Sequence, residues 1–194
     1  MIPLRGAPAK QRWPWVTLGL IAVNLAIFLY QLHIGPDAAT DLFYKKGAVA
    51  AKLSRLKVLS LSQSLGLLPT MFSSLFLHAG WVHLIGNMWF LWVFGEALED
   101  DLGPGRFLGF YLFCGFFACI FHVLAASTSL DAPMIGASGA IAGVLGGYLI
   151  RLPKSSICTI VFWRLRRKRC TFPRSSGWGC GWRCSSTASG TAAP

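Results

Sequence analysis

Met134-Ile135-Gly136-Ala137-Ser138-Gly139-Ala140-Ile141-Ala142-Gly143-Val144-Leu145-Gly146-Gly147-Tyr148-Leu149-Ile150 is the stretch on which the reading of the fold turns. It is apolar enough to be buried in lipid, yet it sets one hydroxyl among small residues, in Gly136-Ala137-Ser138-Gly139. Glycine returns at Gly139, Gly143 and Gly147, the spacing of one helix face. A face of small residues lets a second helix approach backbone to backbone. The stretch therefore predicts a membrane helix built for close contact, with Ser138 at its start as a candidate nucleophile.

The surrounding composition agrees. Apolar residues make up 54% of the 194 and charged residues 13%, against about 25% charged in soluble proteins. Several runs approach the roughly 20 residues that cross a bilayer as a helix. The fold class is an all-α polytopic membrane protein. The formal charge of +11 does not point to nucleic acid. Half of the Lys and Arg residues lie from Arg151 onward, and the others flank apolar runs, as membrane anchors do. Cys114 and Cys119 fall inside an apolar run, where cysteine packs as a small apolar side chain. The spacing of Cys158, Cys170, Cys180 and Cys184 matches no common zinc pattern. No metal or cofactor is expected. The first apolar run is long and no small-residue cleavage site follows it closely, so a cleavable signal peptide is not expected.

Taken in order, residues 1–12 form a short basic N-terminus with Arg5, Lys10 and Arg12. These charges precede a first span over about 14–33 and place the N-terminus in the cytoplasm. Asn24 stands out in that span as a polar side chain expected to bond to another helix. Residues 34–70 alternate charged and aliphatic positions. Ala48–Leu61 has helical spacing and predicts an amphipathic surface helix. A second run, Met71–Leu98, carries His78, His83 and Asn87, and ends before Gly103-Pro104-Gly105. Gly95 and Glu99 are expected to secure helix ends. A third span covers 106–127, and the opening stretch is the fourth. Charge at Arg151 and Lys154 returns the chain to the cytoplasmic side, although the external 34–70 segment holds five basic residues against Arg106 alone in the next internal loop. Residues 13–154 thus form the membrane domain. Residues 155–194 form a basic tail, rich in Gly, Ser, Arg, Trp and Cys and free of acidic residues, for which composition predicts disorder.

Hydrolysis by serine needs a hydroxyl, a base and donors for the oxyanion. Ser138 at a helix start has free backbone N–H groups around it. His83 and Asn87, four residues apart, share one helix face and offer side-chain donors. Alone, that pair reads as a satisfied structural contact. His122 reads as a satisfied or snorkelling side chain rather than a substitute base.

The set His78-x4-His83-x3-Asn87 with Gly136-x-Ser138-Gly139 resembles the rhomboid family of intramembrane serine proteases. The resemblance covers about residues 13–154, including Val16–Asn24, Phe76–Trp89, Gly95 and Glu99. It implies a rhomboid-like helical bundle with Ser138 as nucleophile. His83, Asn87 and the Ser138 N–H would form the oxyanion hole, with His78, Gly136 and Gly139 in support. Gly143 and Gly147 would pack a helix. The implied partners are transmembrane segments of substrate proteins and the lipid bilayer. The default location is a bacterial plasma membrane.

The chain departs from the family pattern in one respect. Family members have at least six spans, and the base is a histidine on the sixth, which packs on the small face of the fourth. Here four of the six are expected. The four histidines, His33, His78, His83 and His122, all precede Ser138. The glycine face is then expected to dock a helix this chain lacks, and the chain to be a truncated, inactive protease. A membrane-helix-binding pseudoprotease is the alternative. The abrupt change near Ser155 also fits a reading-frame shift, which translation of the other two frames would expose.

Overall fold

The computed structural model describes residues 2–5, 13–53, 68–125, 132–153, 155–161, 166–171 and 183–186. The helices are α1 (Trp15–Ile34), α2 (Pro36–Lys46), the single turn α3 (Ala50–Leu53), α4 (Leu68–Phe76, whose last turn Ser74–Phe76 is 3-10), α5 (Trp81–Leu102), α6 (Pro104–Ala125) and α7 (Ser138–Arg151). The strands are β1 (Ile2–Arg5), β2 (Ala48–Val49), β3 (Pro133–Met134), β4 (Ser156–Val161), β5 (Arg166–Thr171) and β6 (Arg183–Ser186).

The membrane domain is a helical bundle in which α1 and α6 are each long and apolar enough to cross a bilayer. Helices α4 and α5, bent by 93° at a break over residues 77–80, are long and apolar enough for a third crossing when taken as one broken span. The fourth element is shorter. At 14 residues, α7 spans about 21 Å, against roughly 30 Å of hydrocarbon. Its start therefore lies below one membrane surface if its end reaches the other.

Successive long helices run antiparallel, and polar contacts mark both ends. At one end, the Glu99 carboxylate of α5 accepts from the backbone N–H of Val16 (2.9 Å), the backbone N–H of Thr17 (2.8 Å) and the Thr17 hydroxyl (2.7 Å). A buried anion thus satisfies the free donors at the α1 start, where the helix dipole favours negative charge. Gly95, one turn back, keeps the helices close: a Cβ there would lie 3.1 Å from Thr17 Oγ1. Glu99 and Gly95 secure a helix end, as the sequence predicts. At the same end Arg151 bonds Asp101 at 2.7 Å, joining the ends of α7 and α5.

Between the ends, Phe107, Tyr111, Val144, Tyr148, Leu91 and Leu98 are buried together. The glycine face finds its partner within the chain, which corrects the expectation of an absent one. A Cβ on Gly139 would strike Ala118, one on Gly143 would strike Cys114, and one on Gly147 would come within 3.0 Å of Phe110. Phe110, Cys114 and Ala118 are themselves four apart on α6, so two antiparallel helices mesh row on row.

Three further differences have local causes. A helix the sequence did not foretell, α2, precedes the predicted Ala48–Leu61 helix, whose described part includes the helical turn Ala50–Leu53. Pro36 sits in the first turn of α2 with Asp37, and Lys45 and Lys46 close its last turn, matching the helix dipole. Only 48–53 of the predicted helix lies within the described residues. Asn24 donates to Leu20 O of its own helix at 2.8 Å instead of to a neighbour. In the tail, three strands extend β1 into an antiparallel sheet ordered β1-β4-β5-β6. Ser156-Ile157-Cys158-Thr159-Ile160-Val161 is rich in β-branched residues, a local signal that overall composition hides.

Candidate functional site

The site forms where the break before α5 meets the loop before α7. That loop is strapped on two sides. β3 pairs with β2 through Ala48–Met134 and Val49–Pro133. The Gly136 N–H donates to Ser74 O at 2.8 Å. Gly136 adopts φ +108°, a region open to glycine and strained for other residues. It also faces the α5 side chains directly. A Cβ at Gly136 would lie 2.6 Å from both Cε1 and Nε2 of His83 and 3.5 Å from Asn87 Nδ2. Only a hydrogen in place of a side chain lets the loop cross that face.

Ser138 opens α7 two residues later and is exposed. The first intrahelical bond there runs from Ile141 N to Ala137 O at 3.0 Å. The N–H groups of the first turn therefore lack α-helical acceptors and are available to an anion.

His78 lies in the break and is 1% exposed. Its Nε2 is 2.9 Å from Asn87 Nδ2, and its ring meets that of His83 edge-on with centroids 5.1 Å apart. Since the Asn87 amide nitrogen can only donate, His78 Nε2 accepts. Gly136, His83, Asn87 and His78 thus form one contiguous group beside Ser138. Gly139, Gly143 and Gly147 lie on the α6 contact instead. His122 sits near the end of α6, half-buried, and His33 is exposed at the end of α1.

Sequence reading missed Gln31. It is 3% exposed and its amide grips the His78 backbone, donating to His78 O at 2.9 Å and accepting from His78 N at 3.2 Å. The available signal was a second strongly polar side chain near the end of the first span.

Helices fit to cross a bilayer, one pair of them bent at a break, with Ser138 beside histidine and asparagine, define a class: polytopic integral membrane proteins. The chain belongs to the rhomboid family, whose Rhomboid domain model matches residues 66–169. RHOMBOID-like protein 6, mitochondrial, of Arabidopsis thaliana is 26% identical over 176 residues, covering 76% of this chain and 56% of that protein. Rhomboid protein 1, mitochondrial, of Saccharomyces cerevisiae is 35% identical over 92 residues, covering 46% of this chain and 27% of that protein. The human presenilin-associated rhomboid-like protein, mitochondrial, is 32% identical over 91 residues, covering 46% and 24%. The chain thus spans from about a quarter to just over half of these relatives. No solved structure matches.

Proposed function

We propose that the chain carries the nucleophile and oxyanion side of an intramembrane serine endopeptidase acting on transmembrane segments. Ser138 attacks the scissile carbonyl. Its own N–H, with His83 and Asn87, receives the oxyanion. The observation that carries this reading is the close approach of Gly136 to His83 Nε2 and Asn87 Nδ2, two residues before Ser138. An amide nitrogen has two N–H bonds. His78 takes one from Asn87 and leaves the second for a developing charge. Donors preset in this way, away from bulk water, are worth about 10²- to 10³-fold each in rate.

The proton acceptor is the other half. None of the four histidines follows Ser138 in the 194 residues, and the one beside Gly136 is His83, already assigned to the oxyanion. We place the face that would receive a base on α7 itself. Ser138 and Ala142 are exposed, Ile150 is 79% exposed, and a Cβ on Gly146 would meet nothing within 4 Å. These four recur every four residues on a face turned from the α6 contact. On this reading the 194 residues alone do not hydrolyse peptide bonds, because an unassisted serine hydroxyl is a weak nucleophile near neutral pH. The relatives named above are mitochondrial and lend no support to a bacterial plasma membrane in particular.

The test uses proteoliposomes and a single-span reporter. The chain alone is expected to cleave no faster than Ser138→Ala. A fusion carrying a histidine-bearing helix after Arg151 is expected to cleave, and Ser138→Ala in that fusion to abolish it. A folded fusion that stays inert would count against the protease reading. Ser138-dependent cleavage by the chain alone would refute the claim that the base lies elsewhere.

A further inference from the structure

We propose that Gln31 is a positioning residue for the oxyanion side, acting through His78 on Asn87 and His83. The inference rests on the roles given above to Asn87 and His83, and its geometry stands apart from them.

His78 has no helix to hold it. Residues 77–80 are the break in the bent pair, and His78 there is 1% exposed, where unpaired backbone groups are costly. Both the N–H and C=O of His78 would need partners, and one side chain supplies both: Gln31 donates to the C=O at 2.9 Å and accepts from the N–H at 3.2 Å. The glutamine amide carries a donor and an acceptor side by side on one planar end. Glutamate loses the donor, and methionine loses both.

Packing does not do this work alone. A cavity of about 340 Å³ between α1, α2 and the break is lined by Gln31 and His78 together with Phe28, Phe43 and Trp81. That cavity is open on one side and does not enclose the pair, so the two hydrogen bonds fix the His78 backbone directly. From His78 the restraint passes to Asn87 through the 2.9 Å Nε2–Nδ2 bond, and to His83 through the ring contact at 5.1 Å. Asn87 can aim its remaining N–H past Gly136 only while His78 holds the other. Gln31, on the first long helix, thereby sets the direction of a donor on the second.

The experiment uses the full chain in lipid nanodiscs, labelled with ¹⁵N at histidine and asparagine side chains. The native protein is expected to show His78 in one fixed neutral tautomer, with two well-separated ring-nitrogen resonances. Its Asn87 amide should give two N–H signals set further apart than in a free amide, because one N–H is held by His78. Gln31→Met should draw the two His78 nitrogens together and narrow the separation of the two Asn87 N–H signals toward that of a free amide. Gln31→Glu, which keeps the acceptor, should shift them less. Asn24→Leu, which removes a buried polar group from the same helix, should lower the unfolding temperature without moving these signals. Unchanged His78 and Asn87 signals in folded Gln31→Met overturn the proposal. If that variant does not fold, unchanged signals in Gln31→Glu overturn it. So do His78 and Asn87 shifts in Asn24→Leu equal to those in the Gln31 variants, which would mark a general loss of packing. No hydrolysis is read, so failure of the protease reading shows separately in the Ser138 reporter assay.

Discussion

Gly136 is the residue at which backbone strain and side-chain chemistry coincide. Its φ of +108° already disfavours any other residue. Its Cα also lies against the His83 ring, so a methyl group there must displace the ring. Gly136→Ala is expected to cost about 1–3 kcal/mol from strain and overpacking. Thermal unfolding in detergent measures that cost, and the His83 ring resonances should move with it. A stable variant with an unmoved His83 would show that the loop can cross α5 by another route. The same residue shows what sequence makes legible. Gly136, Ser138, His83 and Asn87 were recognisable because they sit within two short motifs. Gln31 was not, because its meaning depends on a hydrogen bond spanning 47 positions. Asn24 drew attention as a polar residue in lipid, yet it turns back on its own helix. Polarity in a span signals that a partner exists without saying which.

At the scale of elements, two contacts hold the bundle in register. The first is the mesh of α7 on α6. Gly143→Ala would drive a Cβ into Cys114 and cost about 1–3 kcal/mol by overpacking. Cys114→Gly in the same chain should recover part of the loss, since it vacates the space that the new methyl needs. If the pair is no more stable than Gly143→Ala alone, the mesh is not tight there. The sequence revealed that this face packs closely and misassigned its partner, because small residues declare proximity but not identity. The second contact is the Glu99 clamp on α1. Glu99→Gln removes the charge and one acceptor from a site with three donors. A cost of about 1–3 kcal/mol follows for hydrogen bonds to a charged group. Thr17→Val should add less in that background than in the native chain, because the two residues share a bond.

For the molecule as a whole, the prediction is topology. The contacts Glu99 to Val16 and Thr17, and Asp101 to Arg151, put the start of α1, the end of α5 and the end of α7 at one end of the bundle. Gln31, His78 and the loop before Ser138 lie at the other. Periodicity made the antiparallel order legible but did not foretell that α7 would be short. A 14-residue helix covers about 21 Å, so with Arg151 at one surface Ser138 sits roughly 9 Å inside the other face of a hydrocarbon layer about 30 Å thick. Charge does not decide orientation cleanly, since basic residues precede α1 and follow α7 but five also occupy 34–70. The helix contacts themselves put the start of α1 and the loop before α7 at opposite ends of the bundle. In a background with the six native cysteines replaced, in sealed vesicles, a membrane-impermeant maleimide that reaches Ala132→Cys is then expected to reach Trp13→Cys only after permeabilisation. Ser138→Cys should react from the Ala132 side but more slowly, as thiolate formation is suppressed below the surface. Equal rates at 132 and 138 would place α7 at the membrane surface, and labelling of Trp13→Cys from the same side as Ala132→Cys in unpermeabilised vesicles would overturn this arrangement of the bundle.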